Sequence, residues 1–118
     1  MKNLQNNFTT PTQSNRLLEL GFSADSADFY YDKDEVEIDE VTHPYILPFN
    51  RKFSNYNDMF YLPCWSAGRL MEICKICEPK KDYEQLCEEL QYSQNYCVVI
   101  ISHIIANLQV IDFSKLED

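Results

Sequence analysis

Thr10-Pro11-Thr12-Gln13 and Gly21 mark the two ends of one helix, and no other stretch of the chain limits the fold as tightly. Thr10 offers a capping hydroxyl, Pro11 suits a first helical position where no N–H is needed, and Gln13 can return a hydrogen bond to the cap. Gly21 tolerates positive φ and so closes the helix after Leu20, leaving Phe22 to fold back on Leu17 or Leu18. A helix of about ten residues is marginal alone in water, so this one is expected to lean on tertiary packing.

A second helix is predicted from a Ser66 cap through Ala67 to about Cys77, because Leu70, Ile73, Cys74 and Cys77 repeat at i, i+3, i+4 and i+7. Pro79 ends it. Asp82-Tyr83-Glu84-Gln85 repeats the capping-box pattern, with Tyr83, Leu86, Cys87 and Leu90 as the apolar face behind it. From Tyr96 to Ile111, residues Cys97, Ile100, Ile101, Ile104, Ile105, Leu108 and Ile111 keep helical spacing and predict a helix. The β-branched run Val98 to Ile101 would also suit a strand.

Strands are expected at Phe29-Tyr30-Tyr31 and at Met59 to Leu62, the latter ending at Pro63. Asp32 to Glu40 is also expected to be extended, since Val36 and Ile38 alternate with Glu35, Glu37 and Asp39. Pro44 and Pro48 argue against regular structure at Tyr45, Ile46 and Leu47, and Arg51 to Asp58 is expected to be loop. With 45% hydrophobic residues and only 2 glycines in 118 residues, the chain is neither low-complexity nor disordered. The expectation is one α+β domain over 1–118, two to four short strands with three or four helices, and a disordered 1–9.

Three stretches together resemble a known group of proteins: Thr10-Pro11-Thr12-Gln13-Ser14 leading to Leu17-Leu18-Glu19-Leu20-Gly21 and Ala24-Asp25-Ser26-Ala27-Asp28; Leu62-Pro63-Cys64-Trp65-Ser66 leading to Arg69-Leu70-Met71-Glu72-Ile73; and the closing Asp112-Phe113-Ser114-Lys115-Leu116-Glu117-Asp118. They resemble a family of short proteins of unassigned activity, encoded in gut Bacteroides and related genomes and often in prophage or other mobile-element regions. The resemblance implies a bacterial or phage cytoplasmic setting and gives no residue a catalytic role. It does not extend over Asp32 to Asp58 or Asp82 to Val110.

Ten basic and 19 acidic residues leave a net charge of −9, which repels nucleic-acid phosphate and anionic lipid. Direct nucleic-acid binding is therefore not expected. Met1 to Thr12 lacks the apolar run of a secretory signal, and Tyr96 to Ile111 is shorter than the roughly 20 residues of a membrane span, so a cytoplasmic location off the membrane is expected. The 5 cysteines, an odd count, fit reduced thiols in such a compartment.

Cys74 and Cys77 have the Cys-x-x-Cys spacing that suits zinc, and Cys64, near a helix start, could join them as ligand or act as a reactive thiol. No matching second pair follows, and both residues fall on an apolar helix face, so burial as small hydrophobes accounts for them better. No cofactor is expected, and no serine or cysteine has a base beside it in sequence. His103 in its apolar segment is expected to be a hydrogen-bonded core or boundary residue.

The acids of Asp32 to Glu40 invite a sharper idea. On an extended strand Glu35, Glu37 and Asp39 would stand about 6.6 Å apart on one face, a row that could imitate a nucleic-acid backbone and decoy a host protein. A solvated, charged edge strand is the plainer alternative. Aromatic residues gather in the same middle third and are enriched at interfaces. The expected partner site is therefore Asp34, Glu35, Glu37, Asp39, Glu40, Tyr45, Phe49, Phe53 and Tyr56, taking a protein partner, with self-association also open. The expected role is a non-enzymatic accessory or interaction module of a mobile element, with the decoy and the zinc or thiol protein as alternatives.

Overall fold

The computed structural model of the chain describes residues 7–38, 43–48 and 52–116, apart from the side chains of 37 and 38. Among those residues, five α-helices and a three-stranded antiparallel sheet form a small α+β fold. Helix α1 (Pro11–Leu20) has the expected cap at both ends. Gln13 N–H donates to Thr10 Oγ1 at 3.1 Å and Thr10 N–H to Gln13 Oε1 at 2.9 Å. Gly21 adopts φ +112°, and Phe22 N–H reaches back to the Leu17 carbonyl at 3.0 Å. That turn sends the Phe22 ring into the core, edge-on to Trp65 at 5.9 Å and to Phe113 at 5.0 Å.

Strand β1 (Phe29–Asp32) is central, between β2 (Tyr45–Ile46) and β3 (Tyr61–Cys64). β2 forms where irregular chain was expected, because Pro44 and Pro48 flank the two paired residues instead of interrupting them. β3 begins two residues later than expected and runs through Pro63. The register explains the tolerance: Phe29 faces Cys64, Tyr30 faces Pro63 and Tyr31 faces Leu62, while Lys33 N–H donates to the Phe60 carbonyl at 2.9 Å. Ladder bonds alternate along an antiparallel pair, so this phase gives Pro63 a non-bonded position on an edge strand, where its missing N–H costs nothing.

The largest correction concerns Asp32 to Glu40. Lys33–Ile38 is a helix, α2, while Asp39 and Glu40 lie outside the described residues. Asp32 Oδ1 accepts the Asp34 N–H at 2.9 Å and turns the chain out of β1, and Asp34 and Glu35 in the first turn suit the positive end of the helix dipole. The strand that would carry an evenly spaced row of carboxylates is therefore not present over Glu35 and Glu37, whose backbone is helical. Val36 packs on a small core of Tyr31, Leu62 and Cys64.

Helix α3 (Ala67–Cys77) buries Leu70, Ile73, Cys74 and Cys77 as the spacing requires, and Ser66 caps it, accepting the Arg69 N–H at 3.1 Å. Helix α4 (Lys80–Leu90) starts two residues before the predicted Asp82, directly after Pro79 at φ −58°. Helix α5 (Tyr96–Ala106) resolves the ambiguous run as helix, but it stops short of Ile111. Asn107 ends it: its Nδ2 donates to the His103 carbonyl at 2.9 Å, competing with continued helix, and Leu108–Val110 tightens into a 3-10 turn. Leu17, Trp65, Leu70, Leu86, Ile100 and Ile104 are wholly buried where α1, α3, α4 and α5 meet. Each such side chain stabilises the fold by roughly 1.5–3 kcal/mol on transfer grounds.

Residues 7–9, expected to be disordered, are docked beside the start of α3. Thr9 N–H donates to the Trp65 carbonyl at 2.9 Å and Ala67 N–H to the Asn7 carbonyl at 2.8 Å. Residues 1–6 lie outside the described part.

Candidate functional site

Side chains alternate along β1, so Tyr30 and Asp32 share one face with Tyr45 of β2 and Tyr61 of β3, while Tyr31 points to the other. Tyr30 is the hub. Its ring lies 5.5 Å from Tyr45, 5.0 Å from Tyr56 and 5.5 Å from Tyr61, and Tyr61 is edge-on to both Tyr30 and Tyr56. Phe53, buried in the 3-10 turn Phe53–Asn55, stacks on Tyr56 at 6.4 Å and anchors the row to the main core. Tyr45 is 42% exposed, and the other tyrosines are half-buried.

Carboxylates border this row. The Tyr45 hydroxyl donates to Glu35 Oε1 at 2.6 Å. That bond, then burial, raises the Tyr45 phenol above its ordinary value; for Tyr30 burial comes first, followed by Tyr56, Tyr61, Asp32 and Glu35. Beside Tyr56 and Tyr61 a groove of about 600 Å³ is walled by Phe53, Pro63, Lys33 and Asp58, with Lys33 Nζ held on the Asp58 carbonyl at 2.6 Å.

Of the residues expected to form a partner site, the fold brings Glu35, Tyr45, Phe53 and Tyr56 together around Tyr30. Asp34 lies exposed on α2, and Glu37 is placed there by its backbone alone. Asp39, Glu40 and Phe49 fall outside the described residues. Tyr30 is the member that sequence reasoning missed, having been read only as a strand residue; Tyr61 belongs to the aromatic gathering of the middle third but was not among the expected partner-site residues.

A second groove, about 720 Å³, opens between Ile46 and Pro48 on one side and Asp28, Ser66 and Arg69 on the other. Its polar groups are already engaged. Asp28 accepts from Ser66 N–H at 2.9 Å and from the Ser66 hydroxyl at 2.5 Å. Arg69 Nε donates to the Ser26 carbonyl at 2.7 Å, and its guanidinium also pairs with Glu72.

Cys64, Cys74 and Cys77 are buried free thiols. Among the described residues no three His, Cys, Asp or Glu side chains converge where a metal could sit. Cys64 lies in β3, its thiol donating to the Thr9 carbonyl at 3.4 Å, and burial pushes it up to about 12. Burial, followed by the Glu78 carboxylate, pushes Cys74 up as well, and burial does the same to Cys77. Raised values keep these sulfurs protonated and poorly nucleophilic near neutral pH.

His103 is a buried, bonded residue as expected, but its partner was not foreseen. Its Nε2 lies 2.7 Å from Glu78 Oε1, with the two side chains 2% and 0% exposed. Asn107 Nδ2 approaches Nδ1 at 3.3 Å, and Glu89 Oε1 stands 3.7 Å away. Glu78 directly precedes Pro79, between two helices, and was not singled out in the sequence; an acid in the short gap between two apolar faces was the available signal. No protein-family model matches the chain, and no match is found among the curated proteins or the solved structures.

Proposed function

We propose that the chain is a non-enzymatic interaction module of a bacterial mobile element, working in the cytoplasm and receiving a basic protein partner on the tyrosine row with Glu35 at its border. One observation supports this above the others: Tyr30, Tyr45, Tyr56 and Tyr61 form a continuous ring cluster that is only partly covered and has a carboxylate hydrogen-bonded to its most exposed member. Tyrosine supplies large, rigid, amphipathic contact area and is enriched among residues that dominate binding energy. The net charge of −9 favours approach of a basic partner and speeds its encounter. The mobile-element setting follows from the resemblance of the helix-start motifs and the tail.

The test is affinity capture from extract of a gut Bacteroides host, comparing the wild-type chain with Tyr45→Ala and Glu35→Lys. A basic protein retained by wild type should fall at least about tenfold with each variant, the loss expected of a contact at the centre of an interface. Equal recovery from all three baits would sink the proposal.

A further inference from the structure

From Tyr96 to Ile111 the chain has no Asp, Glu, Lys or Arg, although 25% of all its residues are of these types. Buried positions explain only part of that. Cys97, Ile100, Ile101, His103 and Ile104 face the core, whereas Val98 is 53% and Ile105 43% exposed, with Ser102 and Ala106 exposed between and beside them. Positions 98, 102, 105 and 106 fall at i, i+4, i+7 and i+8, a single stripe along the solvent side of α5. Solvent-facing helix positions ordinarily carry charge; α3 and α4 show this at Glu72, Lys75, Lys81, Glu84 and Glu88.

We infer that this stripe is the contact of a homodimer, occupied by α5 of a second copy of the chain. Charge selects the occupant. Two copies carrying −9 each repel across an acidic surface, and a two-fold contact sets every patch against itself, so an uncharged face meets its own copy without like-charge opposition. A basic partner of the kind that fits the tyrosine row finds no counter-charge here. The interface core of such pairs is depleted in charge, as this stripe is. An antiparallel crossing centred near Ser102 sets Val98 of one copy opposite Ile105 of the other, since the two lie about 10.5 Å apart along the helix and almost symmetrically about that serine. Ser102 and Ala106 are small enough for the helix axes to approach.

Sedimentation equilibrium of the full chain from about 10 to 500 μM, a span that brackets the micromolar range of modest interfaces, provides the test. Wild type should pass from monomer to dimer across that span. Ser102→Glu and Ser102→Lys should each weaken association at least about tenfold by opposing like charges across the axis, and an equimolar mixture of the two should recover a mixed dimer. The recovery distinguishes a disrupted contact from a damaged fold. A wild-type chain that stays monomeric throughout, or a dimer indifferent to both substitutions, overturns the inference.

Discussion

The sheet half and the α5 side of this molecule place their charges oppositely. Around the sheet, carboxylates such as Glu35 lie outside, and the buried polar groups are neutral. Thr9 Oγ1 is 2.7 Å from Ser14 Oγ and accepts the Trp65 N–H at 3.1 Å, while the Tyr31 hydroxyl donates to the Thr9 carbonyl at 2.6 Å. Around α5 the exposed stripe is uncharged, and the ionisable pair Glu78 and His103 is inside. A neutral hydroxyl knot fails one hydrogen bond at a time, whereas a buried ionisable pair fails as a unit. Outside, the same inversion divides recognition: an acidic surface attracts a basic partner, and an uncharged one can face its own copy.

The sharpest way to break that comparison is to remove one member of each buried set. Glu78→Ala takes away the acceptor of His103 Nε2 in a site closed to water and should cost about 3–5 kcal/mol in denaturant unfolding. Replacing both partners, Glu78→Leu with His103→Phe, should recover much of the loss, because an apolar pair of similar volume leaves nothing unpaired. Thr9→Val, which orphans the Trp65 N–H and the Ser14 hydroxyl, should cost less, about 1–3 kcal/mol. Equal losses at the two sites, or a double variant no better than Glu78→Ala, would erase the distinction between the halves.

The two halves also differed in how far they could be read beforehand. α1 and α3 were legible to the residue because their determinants are local: Thr10 with Gln13, Gly21, and Ser66 with Arg69 all act within one turn. α2 was not, since the alternation of Val36 and Ile38 with acids fits a strand, whereas the Asp32 side chain accepts the Asp34 N–H where the chain leaves β1 and turns into helix. β2 and the path of β3 through Pro63 depend on which strand is an edge, a matter of pairing between distant segments. The same limit governs the sites. The aromatic and acidic composition of the middle third could be seen, but Tyr30 as hub required the register, and Glu78 with His103 joins residues on opposite sides of α4.

Alkaline pH probes the neutral interior of the sheet half. Burial raises Cys64 from its ordinary 9.0 to about 12, so the folded chain holds this proton more tightly than the unfolded chain does. A folded value above the unfolded one gives stability that is complete below pH 9.0 and declines as pH rises toward 12. At pH 10 the loss attributable to this thiol is about 1.4 kcal/mol. Cys64→Ala should flatten that part of the stability profile while leaving the neighbouring tyrosine row in place. Denaturant midpoints measured from pH 8 to 10.5 in both proteins test this, and parallel declines would show that Cys64 is not the group responsible.

The smallest effect separates the tyrosine row from the core beneath it. Tyr45→Phe keeps the ring against Tyr30 at the edge of the sheet and removes only the hydroxyl that Glu35 accepts, at an exposed position. An exposed bond of this kind exchanges readily for water, so stability should change by no more than about 0.5 kcal/mol. Tyr30→Phe, at the half-buried hub, serves as the matched control, since no neighbouring ring loses its contact there either. If Tyr45→Phe costs well over 1 kcal/mol, the bond to Glu35 is holding β2 on the sheet, and the row belongs to the architecture of the fold. If stability is unchanged and partner capture nevertheless falls, the hydroxyl is acting on something outside the chain. That result would assign the acidic, tyrosine-rich face to recognition, and would set it apart from the uncharged helix stripe by chemistry as well as by position.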